Sequence, residues 1–236
     1  MKKFYFLLFP AIMVIATSCW KLHRIEGNHE LATEIRHVTG FTEVHNSSEF
    51  DVYIEQDSVF EIKIEAEENL LPYIDTDLHQ NSLDIEVKRG RDLKCHFPIK
   101  VFVKGPYFTE ISMSGSGNIE CDTLYNSNIS FELSGSGNIR AIAYSDDTDA
   151  SISGSGNIEL SGTSQSADYR ISGSGKIKSY SMETGNCFCN ISGSGDMYVF
   201  ATNLLDVIIS GNGTVHYLGN PQITTSITGS GSIIHN

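Results

Sequence analysis

The sequence predicts an all-β fold, a single-stranded parallel β-helix (β-solenoid) of about seven turns of 18–20 residues with a strand-rich N-terminal cap region. Three observations carry that expectation. A phrase of the form Ser-Gly-Ser-Gly-Asn-Ile begins at Ser114, Ser134, Ser153 and Ser172 (the last with Lys176 for Asn) and returns in looser form at Ser192, Ser210 and Thr228. The steps between these copies are 20, 19, 19, 20, 18 and 18 residues, a fixed period at which each turn buries its apolar face only by stacking on its neighbours. Aligned on the phrase, the residue before it is always apolar (Met113, Leu133, Ile152, Ile171, Ile191, Ile209, Ile227), and so is the sixth residue of the phrase (Ile119, Ile139, Ile158, Ile177, Met197, Val215, Ile233). These columns share one parity, so a strand of period two points them to one side, which no helix would do.

Taken in chain order, residues 1–18 read as an export signal: Lys2 and Lys3, an apolar run from Phe4 to Ala16, then Ala16-Thr17-Ser18 before Cys19. A cysteine directly after small residues resembles a bacterial lipoprotein cleavage site, with Cys19 as the lipidated first residue. Residues 19–34 are polar and unpatterned, a lipidated tether to a single domain over 35–236. Loss of Lys2 and Lys3 with the leader moves the net charge from −13 to −15. So acidic a chain repels phosphate backbones and anionic lipid surfaces, which argues against nucleic acid and leaves the lipid anchor as the expected membrane contact.

Within 35–110 the alternating runs Phe50/Val52/Ile54, Phe60/Ile62/Ile64, Leu83/Ile85/Val87 and Ile99/Val101/Val103 predict strands. Asp57-Ser58 separates two of them by a hairpin or a sharp corner. Glu67 to Tyr73 has room for a short helical turn, ended by the restriction that Pro72 imposes. From 111 to 236 the phrases take over. Their glycines either turn a corner with φ > 0 or admit close backbone approach, and the intervening Ser and Asn face the other way from the core. Cys187 and Cys189 fall on one side of a strand, in columns that elsewhere hold apolar residues. Small buried hydrophobes are the favoured reading of them, with a bridge among Cys95, Cys121, Cys187 and Cys189 as the alternative.

Thr39-Gly40-Phe41, Phe50-Asp51-Val52, the run Glu67-Glu68-Asn69-Leu70-Leu71-Pro72-Tyr73-Ile74, Leu83-Asp84-Ile85 and Pro98-Ile99-Lys100-Val101 follow one another before the first phrase. In that order they resemble the family of exported proteins named for an auto-transporter adhesin head, the GIN domain. The resemblance implies an all-β coil, often on lipoproteins of Gram-negative bacteria, and brings no catalytic residues with it. Cys19-Trp20-Lys21-Leu22-His23-Arg24 lacks the acidic run that marks surface export in some such lineages, so the side of the outer membrane on which the body lies is left open.

The glycine phrases lack the following helix and the lysine of a phosphate loop. The column Asn118, Asn138, Asn157, Lys176, Asp196, Thr214, Ser232 is not a calcium ladder, and the histidines are scattered; neither metal nor cofactor is expected. Asp146, Asp147 and Asp149 are the dense acidic run in the repeats, too little to favour a carbohydrate-active β-helix enzyme. Asp57-Ser58-Val59 and Asp122-Thr123-Leu124 resemble O-glycosylation acceptors. The expected function is that of a non-catalytic envelope lipoprotein, an adhesin or binding module. Its contact surface is the ladder Ser114, Ser116, Asn118, Ser134, Ser136, Asn138, Ser153, Ser155, Asn157, Ser172 and Ser174, with a glycan or another envelope protein as partner. The alternative is a periplasm-facing structural or sensory lipoprotein without external ligand.

Overall fold

The alternation read from the sequence becomes strand nearly throughout the described residues, 23–236, of the computed structural model. The leader and the lipidation site Cys19 lie outside the described residues. Ahead of the repeats run β1 (His23–Glu26), β2 (Leu31–Arg36), β3 (Glu43–Asn46), β4 (Asp51–Gln56), β5 (Glu61–Glu67), β6 (Ile74–His79), β7 (Ser82–Val87), β8 (Arg91–Lys94) and β9 (Lys100–Gly105). The repeats supply β10 (Glu110–Met113), β11 (Asn118–Leu133), β12 (Asn138–Ile152), β13 (Asn157–Ile171), β14 (Lys176–Gly193) and β15 (Asp196–Gly211). They end in β16 (Thr214–Leu218), β17 (Gln222–Gly229) and β18 (Ser232–His235).

The repeats form a parallel β-solenoid in which like stacks on like. Ile119, Ile139, Ile158, Ile177, Met197, Val215 and Ile233 are successive register partners, and all but the last are fully buried. Burying one such aliphatic side chain stabilises by about 1.5–3 kcal/mol, so each column acts as a continuous apolar spine. The two 20-residue repeats keep this register by a bulge: β11 spends an extra residue between Cys121 and Thr123, and β14 spends one between Lys178 and Ser181. Variation in repeat length is thus absorbed on one side of the turn, away from the phrase.

The phrase glycines serve close approach. A Cβ on Gly173 would overlap the carbonyl oxygen of Gly154 one turn below, and a Cβ on Gly175 would meet that of Gly156. Positive φ is confined, among the phrase glycines, to Gly193, Gly211 and Gly229. Of the two uses open from sequence, spacing is therefore the general one and backbone conformation a late addition.

Below the repeats the coil continues out of chain order. β3 and β4 pair in parallel with β10 and β11, while β7 and β9 pair in parallel beneath β3 and β4. Antiparallel strands close this end: β6 on β7, and β2 on β5, which in turn lies on β9. They cover an edge that would otherwise be open for pairing. The Asp57-Ser58 corner does not join a hairpin, because β9 lies between β4 and β5. Pro72 sits inside a 3-10 turn (Leu71–Tyr73) rather than ending one, since its missing N–H costs nothing in a first turn. Phe41, Phe50 and Phe108 fill this end of the core, and Phe60 meets Phe41 edge to face at 4.9 Å.

Candidate binding faces and a histidine–carboxylate cluster

Three outward features stand on this scaffold. The first is the expected ladder. Ser114, Ser116, Asn118, Ser134, Ser136, Asn138, Ser153, Ser155, Ser172 and Ser174 are exposed and Asn157 is half-buried, all along the phrase corner. The asparagines bond to one another: Asn157 Nδ2 donates to Asn138 Oδ1 (2.9 Å), Asn138 Nδ2 to Asn118 Oδ1 (3.0 Å), and Asn118 Nδ2 to Asp51 Oδ1 (2.8 Å). Lys176 leaves this amide row and pairs instead with Asp196 at 3.0 Å. The first serine is engaged too, its Oγ lying 3.2 Å from Nε2 of His45. Beside the asparagines runs the column Glu120, Arg140, Glu159, Lys178, in which opposite charges are direct register partners. Arg140 reaches Glu159 at 3.5 Å; such cross-strand pairs favour the in-register stack over a slipped one.

The second feature lies at the next corner of the turn. Tyr125 and Tyr144 are register partners, 62% and 42% exposed, and stack with ring centroids 5.3 Å apart at 13°. Tyr107, also exposed, joins them beside a shallow cleft of about 550 Å³ lined by Asn126, Ser127, Ser145, Asp146 and Thr163. Its polar rim is partly fixed: Asn126 Nδ2 donates to Phe108 O at 2.5 Å, Gln165 Nε2 to Asp146 Oδ1 at 2.5 Å, and the Ser145 and Thr148 hydroxyls lie 2.6 Å apart. Aromatic faces held in water beside hydrogen-bonding side chains suit a ligand that has both apolar C–H faces and polar edges. The phrase and the apolar columns drew the sequence reading away from this second corner, where only two turns carry tyrosine.

The third feature is in the cap. Glu67, at the end of β5, is fully buried and is held by N–H groups from two other segments. His29 N donates to its Oε1 at 2.7 Å and His96 N to its Oε2 at 2.8 Å, while His96 Nδ1 lies 3.1 Å from Oε1. Burial pushes the carboxyl pKa up, but the bonds from His96 and His29 prevail and hold it below the ordinary value. The His29 and His96 rings lie 3.7 Å apart, centroid to centroid. A Cβ at residue 27 would overlap the Glu67 carboxylate, which accounts for Gly27. His29 and His96 are remote in sequence and belong to no motif, so only the fold brings them together.

The described cysteines are free. Cys187 and Cys189 are buried in the apolar columns with sulfurs 3.7 Å apart, and burial pushes the Cys95 thiol up to about 11, which disfavours its thiolate. Ser58 and Thr123, of the glycosylation-like tripeptides, turn their hydroxyls toward the preceding Asp57 and Asp122 at 3.3 and 3.5 Å.

Comparison with known proteins places this architecture. A family profile described as "Putative auto-transporter adhesin, head GIN domain" matches residues 40–221. The crystal structure of a putative adhesin from Bacteroides fragilis NCTC 9343 superposes with a TM-score of 0.86 at 23% identity, covering 90% of this chain and 100% of that one. A putative lipid binding protein from Parabacteroides distasonis ATCC 8503 has a TM-score of 0.75 at 28% identity over 90% of this chain and 99% of that one. A putative adhesin from Parabacteroides merdae ATCC 43184 has a TM-score of 0.73 at 24% identity over 91% and 99%. No match was found among the curated proteins compared.

Proposed function

The chain belongs to the auto-transporter adhesin head GIN domain family, and from that premise we propose that it is an exported, non-catalytic binding module of the bacterial envelope, tethered to the outer membrane through lipidated Cys19. The tyrosine step is the anchor of the contact, and the rows of Ser and Asn from Ser114 to Ser174, at the neighbouring corner of each turn, offer a second, parallel row. The observation that carries this reading is the stacked, solvent-facing pair Tyr125 and Tyr144 above a polar cleft. A sugar ring offers the matching surface, with C–H groups for the aromatic face and hydroxyls for Asn126, Ser145 and Asp146. A glycan chain running along the coil would meet further hydroxyls at each turn, about 4.8 Å apart, so that weak contacts add by avidity.

The test is binding of purified protein to envelope polysaccharide from the native host, with vesicles of host lipids in parallel because one relative is named for lipid binding. Tyr125→Ala/Tyr144→Ala should weaken polysaccharide binding by roughly tenfold or more, as stacked aromatic anchors do, and Ser136→Ala/Ser155→Ala/Ser174→Ala should weaken it less. Equal binding by wild type and the tyrosine variant would overturn the assignment of the anchor, and preference for vesicles would replace glycan by lipid.

The asparagine row, whose amides bond along the stack, favours a second reading: a periplasm-facing structural or sensory lipoprotein in which the ladder is internal reinforcement. Protease treatment of intact host cells, with lysed cells as control, separates the two. Loss of the chain on intact cells supports the adhesin reading, and protection until lysis supports the second.

A further inference from the structure

We propose that His29, Glu67 and His96 form a site for a divalent transition metal, zinc by the chemistry of its donors, which would latch the leading segment of the described chain onto the cap. Two imidazoles and a carboxylate are the donor set of many three-ligand zinc sites, with the fourth position left to water or a further carboxylate. Their donor atoms lie within 4.8 Å of one another. His96 Nδ1 and Glu67 Oε1 are already 3.1 Å apart, close to the ~3.3 Å edge of a tetrahedron with metal–ligand bonds near 2.0–2.1 Å. The remaining contraction falls to His29, whose side chain is exposed.

Several features are prepared for a cation. Glu67 is fully buried, and among the described residues its ion-pair partner is His96 alone, with no lysine or arginine on it. Its two oxygens are oriented by backbone N–H groups that leave their other lone pairs available. His29 holds a left-handed backbone, φ 64°, rare for a residue with a Cβ, and this conformation sets its ring against that of His96. Glu26 does not supply the fourth position, which is left to water: its Oε1 is held by Lys94 at 2.6 Å and lies 3.5 Å from His96 Nε2, the ring nitrogen other than the one beside Glu67.

The topology gives the site a consequence. His29 lies in the turn between β1 and β2, Glu67 ends β5, and His96 follows β8. A metal would reinforce the links that already join these three segments, the parallel pairing of β1 with β8 and the bonds that Glu67 and Asn69 make to the end of β1 and the turn after it. It would fix the first described residues, β1 and the turn after it, to the body of the cap.

The experiment is titration of tag-free protein with Zn²⁺ by calorimetry and with Co²⁺ by absorption, alongside His29→Ala and His96→Ala. The expected result is one equivalent bound more tightly than about 10 µM, with the intense visible bands of low-coordinate cobalt, weakened roughly tenfold or more in either variant. Imidazole NMR of the unmodified protein gives a second readout that no perturbation of the cap by a substitution can mimic: His29 and His96 resonances should shift on adding Zn²⁺ while those of His216 and His235 stay. Absence of stoichiometric binding, binding unchanged in both variants, or shifts at other histidines alone would overturn the site.

Discussion

In the coil each residue of a turn lies over a near copy of itself, 18–20 residues away; in the cap, contacts are made once. The coil is held by repetition: apolar columns inside, and Asn and alternating-charge rows outside. The cap is held by single bonds between remote segments. Arg36 Nη1 donates to Ile74 O at 2.6 Å and to Thr76 Oγ1 at 3.0 Å, its Nη2 donates to Leu71 O at 3.1 Å, and Glu67 gathers His29 and His96. The difference teaches where damage spreads. A defect in a column is felt by the turns above and below, while a defect in a cap bond frees the segment it held.

The sharpest way to break the coil is Ile171→Asp. Ile171 is 1% exposed and stacked between Ile152 and Ile191, so the substitution removes a buried aliphatic group and puts an unpaired carboxylate in its place. A loss of about 4 kcal/mol or more is expected, which in a chain of this size lowers the thermal midpoint by roughly 10–15 °C. A midpoint within a degree or two of wild type would refute the column.

A pair of glycines separates the two regions by mechanism. Gly173→Ala places a methyl group against the carbonyl of Gly154, and backbone on both sides must move; about 2–3 kcal/mol is expected. Gly40 in the cap has φ +90° but open space where a Cβ would stand, so Gly40→Ala costs only backbone strain of about 1–2 kcal/mol. Chemical denaturation of the two variants checks the order. If Gly40→Ala proves the more damaging, the phrase glycines are not spacers.

Glu67→Gln tests the cap alone. An amide in place of the carboxylate turns an N–H toward one of the backbone donors of His29 or His96, at a cost of about 1–3 kcal/mol. Hydrogen exchange should accelerate over residues 23–36 and 95–97 while β12 to β14 keep their protection. Equal acceleration throughout would mean that cap and coil unfold as one.

The same contrast decides what was legible in the sequence. The inward column through Ile119 and Ile139 and the outward Ser114 and Asn118 recur in copy after copy, so parity alone assigned their faces. Close approach at Gly173 was one of two readings, and only coordinates choose between a corner and a contact. In the cap no residue is repeated. Nothing in the sequence of Ser82–Val87 says that it lies outside Glu43–Asn46 in the stack, because that order is set by which surfaces fit. His29 and His96 meet for the same reason, by a non-local pairing without period. Tyr125 and Tyr144 form a column only two turns tall, a signal too short to stand out from ordinary surface residues.

The smallest expected effect is a pH response of opposite sign in the two regions. On the coil, burial and the neighbouring Glu132 and Glu43 raise the pKa of Glu110, while burial, Asp168 and Asp147 raise that of Asp149 against the opposing pull of Arg170. A carboxyl whose pKa is higher folded than unfolded binds more protons in the native state between the two values, so stability falls as pH rises through that window and is recovered on acidification. Glu67 is the reverse case. Its folded pKa is lowered, so its contribution is present above the ordinary carboxylate value and is lost as pH falls through the folded one. Going from neutral pH to about pH 5, the coil should therefore gain about 1–2 °C, a modest figure because Glu110 and Asp149 are partly in water. Below about pH 4, residues 23–36 should begin to exchange faster while the coil remains protected. Glu110→Gln together with Asp149→Asn should remove the gain in mild acid and leave the loss at the cap untouched. If that variant still gains stability on acidification, the charge crowding at the first turns is not its source, and the regions differ in construction but not in their response to protons.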